Sequence, residues 1–282
     1  MSQNAALLEK SAQLETVEAR LVFAERGQAK PYAYVGDPPA GVARARGEYQ
    51  SRSVRIENAR PFAGGLRLDR EGFEIVRHPT AVRDFWDEAQ TLALGHPEAA
   101  ELVKAVTGAA RVVVFDHTLR RRLQGVEDRS PDAPRQPASR VHVDQTVLSG
   151  PQRVRDVMGD QAEDLVTRRA AIINVWRPIA RVARDWPLAL ADARTVDEGD
   201  LIASDLIFPH RTGEIYVVAH SPRQRWLYVP DLRPDEAVLI KCWDSDPSVA
   251  RFTPHTGFED PTTPPGAPPR ESIEFRTIAF FD

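Results

Sequence analysis

At 282 residues, the chain can bury a core large enough for one sizeable domain. A net charge of −4 provides no overall field that would favour nucleic acid or an anionic membrane surface. The lone cysteine, Cys242, excludes an intrachain disulfide, and its apolar surroundings predict an inert buried thiol.

Of the 37 basic residues only four are lysines. With no net basicity, this reads as compositional bias rather than as a phosphate-binding surface. The first residues carry no basic segment followed by an apolar one, and no stretch approaches the roughly 18 apolar residues a spanning helix needs. A cytoplasmic protein is expected, with no membrane and no nucleic-acid partner.

In chain order, residues 1–20 show alanine and glutamate at helical spacing and predict a helix. The Pro- and Gly-rich stretch 32–47 predicts loop. Residues 52–57 and 72–76 read as strands, and 81–91 and 98–106 as helices, the second ended by Gly108. Residues 111–116 form an apolar strand. Residues 123–140 hold Pro131, Pro134 and Pro137 without periodicity, so they predict a loop that is either a lid or a passive insertion. After it, 171–176, 214–219, 225–229, 236–243 and 272–281 read as strands separated by polar turns, with no crossover helices between the later ones.

This order favours antiparallel β structure over a doubly wound sheet. The expected fold is α+β to mainly β, a single domain over residues 1–282. Within it, residues 1–122 form an N-terminal α+β wrapping region, and 141–282 a cupin-like jelly roll, the double-stranded β-helix.

Chemistry concentrates at His142-Val-Asp144. On a strand, residues i and i+2 share a face, so an imidazole and a carboxylate can meet one ion. His255 is a candidate third ligand, which would complete a 2-His-1-carboxylate set with open positions. Arg270-Glu-Ser272 follows, where a guanidinium and a hydroxyl can grip a carboxylate. Arg276 is a competing grip, with pairing to Glu274 as its structural alternative, and Arg270 is favoured for its serine neighbour. Asn174 and Trp176 share one strand face, either lining a pocket or filling the interior. His117 is expected to hold a structural bond to Asp116 or a carbonyl. Tyr32 and Tyr34 read as packing residues, and His78, His96, His210 and His220 as surface.

Together these segments resemble the cephamycin 7α-methoxylase subunit and hydroxylase/desaturase family. The matching text is Phe115-Asp-His117, Val141-His-Val-Asp144, Asn174-Val-Trp-Arg-Pro178, Trp186-Pro-Leu188, Asp192-Ala-Arg194, Pro234-Asp-Glu236, Lys241-Cys-Trp-Asp-Ser245, Pro254-His255 and Pro268-Pro-Arg-Glu-Ser-Ile-Glu274. The resemblance implies iron(II), 2-oxoglutarate and O2, with His142, Asp144 and His255 as ligands. It implies oxidation of a C–H bond in a small specialised metabolite, by hydroxylation, desaturation or ring closure. Two other readings are a non-catalytic accessory subunit of a two-protein tailoring system and a zinc hydrolase. Assembly as a homo-oligomer or with a tailoring partner is left open.

Overall fold

A computed structural model describes residues 16–126, 128 and 133–282. In chain order the strands are β1 Thr16–Ala24, β2 Tyr32–Tyr34, β3 Ala45–Arg46, β4 Tyr49–Asn58, β5 Phe73–Arg77, β6 Arg111–Arg121, β7 His142–Val143 and β8 Ala170–Pro178. They continue with β9 Leu188–Ala191, β10 Leu201–Ile207, β11 Thr212–Val218, β12 Trp226–Tyr228, β13 Glu236–Asp244, β14 His255–Gly257 and β15 Glu271–Phe280. The fold is mainly β, in two sheets. The larger runs β1-β4-β12-β9-β14-β7-β11-β10-β2-β3, and the smaller β5-β13-β8-β15-β6.

Period-2 alternation explains why the centre of the smaller sheet is almost wholly apolar. On β8, Ala170, Ile172 and Trp176 face the larger sheet and pack with Val143, Leu190, Tyr216 and Leu227. The intervening Ala171, Ile173 and Val175 face away, where Leu102 and Val103 of the helix His96–Thr107 cover them. Both faces are therefore buried, as are all nine residues of β8. The helix ends as expected, at Gly108 with φ 72°. A third apolar cluster, including Leu21, Phe23, Ile56 and Trp226, closes the other side of the larger sheet.

Three expectations are corrected. Residues 16–20 belong to β1, because Val17, Ala19, Leu21 and Phe23 alternate inward along it; the rest of the expected N-terminal helix lies outside the described residues. The helix expected over 81–91 begins only at Glu88, since the Asp87 side chain accepts from the Ala89 and Gln90 amides and so sets the N-cap there. The loop expected over 32–47 contributes the short β2 and β3 to the edge of the larger sheet. The N-terminal third thus lays strands into both sheets, besides supplying the covering helix.

One close approach couples this third to the later strands. Gly72 has φ 87°, and its carbonyl accepts from the Thr253 hydroxyl at 2.6 Å and from the Lys241 amide at 2.8 Å. A Cβ there would stand 2.2 Å from Thr253 Oγ1. Gly72→Ala is therefore expected to destabilise the fold by about 1–3 kcal/mol, through strain at positive φ and overpacking. Thermal unfolding of the variant checks this, and an unchanged midpoint would show that Thr253 yields freely.

Candidate metal centre

β7 and β14 pair antiparallel, with His142 directly opposite His255. Their rings lie 4.5 Å apart, centroid to centroid. Asp144 follows the end of β7, and its Oδ1 lies 3.5 Å from His142 Nε2. One donor atom from each of the three residues falls within 4.8 Å of the others.

The imidazoles are oriented identically. His142 Nδ1 stands 2.9 Å from the Arg140 carbonyl, and His255 Nδ1 stands 2.9 Å from the Thr253 carbonyl. A carbonyl only accepts, so each Nδ1 donates its proton there and each Nε2 is the atom left to face a metal. His255 Nε2 is buried with no protein partner. That orphaned atom, beside a second imidazole and a carboxylate, fits a metal ion with open positions.

Asp144 is held from behind. Its Oδ2 accepts from Asn174 Nδ2 at 2.8 Å and from Arg276 Nε at 3.1 Å. Asn174 lies on β8 directly opposite Arg276 on β15, so the smaller sheet grips a ligand carried by the larger one. Burial opposes ionisation of Asp144. The Arg276 charge, with the two imidazoles, overrides it and holds the carboxyl well below the usual range. His142 is likewise disfavoured by burial, but its contact with Asp144 raises it; burial and His142 together lower His255.

The two candidate arginines differ sharply. Arg276 donates to Asp144, to Asp116 at 2.9 Å, to Thr118 at 2.9 Å and to Glu274 at 2.7 Å. Burial is opposed by these acids, which raise it above the ordinary arginine value. Arg270 is 3% exposed; among the described residues its guanidinium donates only to the Trp186 carbonyl, at 2.6 Å, and it lies over the Trp176 ring at 5.3 Å. Its Nε and the neighbouring Ser272 hydroxyl are buried without partners. Burial, reinforced by Arg120, pulls it down to about 9.

Trp186, the residue that accepts from Arg270, has φ 52°, a costly conformation for a tryptophan. The sequence marked it only as part of a Trp-Pro-Leu segment. Other motif residues build the frame: Asp192 pairs with Arg194 at 2.6 Å, and Asp244 pairs with the buried Lys241 at 2.7 Å. His117 meets His96 at 3.0 Å and Glu88 at 3.2 Å, instead of Asp116 or a carbonyl. His210 is exposed as expected. His78, His96 and His220 are half-buried, His220 because its ring packs edge-on against Phe23. In the loop 123–140, residues 127 and 129–132 lie outside the described residues. Beyond them, the Ala138 carbonyl accepts from the Gly257 amide at 2.8 Å, and the Val141 amide donates to the Val22 carbonyl at 2.9 Å.

The family model described as "YDMC: Oxidoreductase/YMDC permease-like domain" matches residues 21–280. The chain belongs to the hydroxylase/desaturase family of iron(II)- and 2-oxoglutarate-dependent oxygenases. It is 37% identical to the hydroxylase/desaturase CTB9 of Cercospora beticola, over 84% of this chain and 79% of that one. It is 31% identical to the hydroxylase/desaturase efuI of Hormonema carpetanum, over 86% and 88% respectively. The solved iron and alpha-ketoglutarate-dependent endoperoxidase NvfI superimposes with a TM-score of 0.85 at 29% identity, covering 95% of this chain and 98% of that one.

The amide of Asn174 orients the candidate carboxylate ligand, Asp144. Asn174→Ala should weaken iron(II) binding by about 10- to 100-fold, the usual effect of losing a partner behind a ligand. Competition against a calibrated chelator measures this. Parent-like affinity would mean that Arg276 alone orients Asp144.

Proposed function

We propose that the protein oxidises a C–H bond of a small specialised metabolite, with His142, Asp144 and His255 holding iron(II) and Arg270 with Ser272 gripping 2-oxoglutarate. The observation that carries this reading is a set of unpaired polar atoms in the buried interior: His255 Nε2, Asn174 Oδ1, Ser272 Oγ and Arg270 Nε. Buried polar groups are normally satisfied. Here the unsatisfied ones include both a metal-ligating nitrogen and a carboxylate-binding pair, as a diacid reaching from the metal to Arg270 requires. The expected jelly roll is the finer reading of two sheets packed face to face around this interior.

Bound at the triad, iron(II) with 2-oxoglutarate and dioxygen supplies oxidation of the C–H bond, and 2-oxoglutarate leaves as succinate and carbon dioxide. The chain's own contribution is positional. The Nδ1–carbonyl bonds fix both imidazoles, and Asn174 and Arg276 fix the carboxylate. The Arg270 guanidinium and the Ser272 hydroxyl offer donors to a distal carboxylate in a site that excludes water, where charge-assisted bonds are strongest. Arg276 has its donors engaged by acids, which favours Arg270 as the grip. Hydroxylation, desaturation and ring closure share the first C–H cleavage, so placement of the substrate carbon selects among them. A complete donor set beside an unpaired carboxylate grip disfavours a purely accessory role. The grip is superfluous in a zinc hydrolase.

The test is release of succinate from 2-oxoglutarate, which should require iron(II). His142→Ala, Asp144→Ala and His255→Ala should each abolish it, and full turnover by any one would remove that residue from the ligand set. The His210→Ala variant should keep near-parent turnover, since that side chain is exposed.

The grip is tested separately by titrating 2-oxoglutarate into the anaerobic iron(II) protein and following the metal-to-ligand charge-transfer band. Arg270→Gln should weaken binding by about 10- to 100-fold, as expected for loss of a charge-assisted hydrogen bond. Ser272→Ala should lose less, and iron affinity should hardly change in either variant. Normal binding by Arg270→Gln would move the grip elsewhere and leave the metal assignment standing.

A further inference from the structure

A groove of about 360 Å³, open to solvent, has Asp144 in its wall, so it reaches the candidate carboxylate ligand. Its volume suits a small organic molecule. The charges lining it are unevenly satisfied. Of its acids, Asp205 and Glu214 share the single charge of Lys30, at 2.5 and 2.6 Å. Asp144 is engaged by Arg276. Asp156 accepts from Gln152 at 2.8 Å.

Its cations are not matched in the same way. Arg153 approaches Asp156 no closer than 3.8 Å, beyond hydrogen-bonding distance, and its Nε is buried without a partner. Arg211 lies over the Phe208 ring at 4.0 Å, and among the described residues it pairs with no carboxylate. The two guanidiniums also oppose one another: burial first, then the charge of Arg211, lowers Arg153. Two cations facing one groove, one partly desolvated and the other unpaired, make an arrangement that an anionic ligand relieves. The same wall is apolar at Leu148, Leu206, Phe208 and Ile215. Leu148 is 71% exposed, leaving an apolar lip at the mouth.

We infer that Arg153 and Arg211 form a clamp for an anionic oxygen group, a carboxylate, on an amphipathic oxygenase substrate whose apolar body runs along this groove toward Asp144. This deepens the oxygenase reading and rests on it for the word substrate, while the clamp itself is a binding property of the metal-free chain. Anchoring the molecule at a charged end would fix which carbon reaches the metal, and so would set regiochemistry without contact at the reacting atom.

The test uses a matched pair of fluorescent probes on the full-length metal-free protein: 8-anilinonaphthalene-1-sulfonate and its uncharged counterpart N-phenyl-1-naphthylamine. Displacement of the first by 1-naphthoate and by methyl 1-naphthoate then asks whether a carboxylate is taken. The anionic probe should bind more tightly than the neutral one, and the acid should displace it better than the ester. Arg153→Gln and Arg211→Gln should each reduce the anionic preference by about tenfold, the scale of a lost charge-assisted bond. Arg83→Gln, at an exposed site outside the groove lining, should leave the preference intact. Equal binding of the two probes, absence of saturable binding at millimolar acid, or a parent-like preference in both groove variants would overturn the clamp. Because the readout needs neither iron nor turnover, loss of the clamp and loss of the oxygenase reading are separate results: the first appears in these titrations, the second in the succinate assay.

Discussion

The centre depends on one cross-strand pair. β7 has two residues and β14 three, and they meet through His142 opposite His255 alone. A slip of one residue in either strand would turn an imidazole to the other face of the sheet. Strands this short cannot fix their register by themselves, so neighbouring segments must do it. Tyr216 and Val217 of β11 pair with β7 on one side, and Ala189 and Leu190 of β9 pair with β14 on the other. The Val22 carbonyl holds the Val141 amide immediately before His142. The Gly72 carbonyl holds the Thr253 hydroxyl, and the Thr253 carbonyl orients His255. Residues far apart in sequence therefore set the positions of both candidate ligands, which is why the N-terminal third belongs to the site although it supplies none of the three.

The second constraint is charge. A carboxylate drawn away from water without a partner is strongly disfavoured, and Asp144 is only partly exposed. Arg276 supplies the countercharge. Three acids, Asp116, Asp144 and Glu274, hold that single guanidinium. The network fixes the Asp144 carboxylate and leaves Oδ1 facing the histidines. Ligand geometry is thus set by the protein, as a site with open positions requires.

Much of this was legible in the sequence, for identifiable reasons. Same-face spacing joined His142 to Asp144, and strongly alternating or continuous apolar runs marked β8, β13 and β15. The expected strand at 225–229 appeared as β12. What escaped were features whose cause lies elsewhere in the chain. The first residues of β1, 16–20, mimic helical spacing through their alanines and glutamates, although Val17, Ala19, Leu21 and Phe23 alternate. β9 and β10 were missed because Leu188–Ala191 is short and Leu201–Ile207 carries Ser204 and Asp205. The helix Ser149–Met158 was missed too; it contains both Gly150 and Pro151, and Gly150 is there because the Trp243 ring leaves no room for a Cβ. Contacts such as Asn174 to Asp144 join residues on different sheets, and no local pattern announces them.

Arg270 and Arg276 show how the same residue type, six positions apart, is given opposite tasks by its surroundings. Both are buried, and burial alone disfavours the charged form of each. Around Arg276 the acids outweigh that effect, so its charge is most stable with nothing further bound. Around Arg270 they do not. Asp185 and Glu274 favour its charge, but Asp185 is engaged by Arg122 at 2.6 Å and Glu274 by Arg276 at 2.7 Å. The nearby Arg120 opposes it further. Arg270 is thus held in a buried cationic state that its own protein neighbours leave under-compensated, with a free hydroxyl beside it. Such an arrangement lowers the stability of the empty fold, and an anion entering there recovers that energy as binding. An arginine serving only to hold the sheets together would be surrounded as Arg276 is.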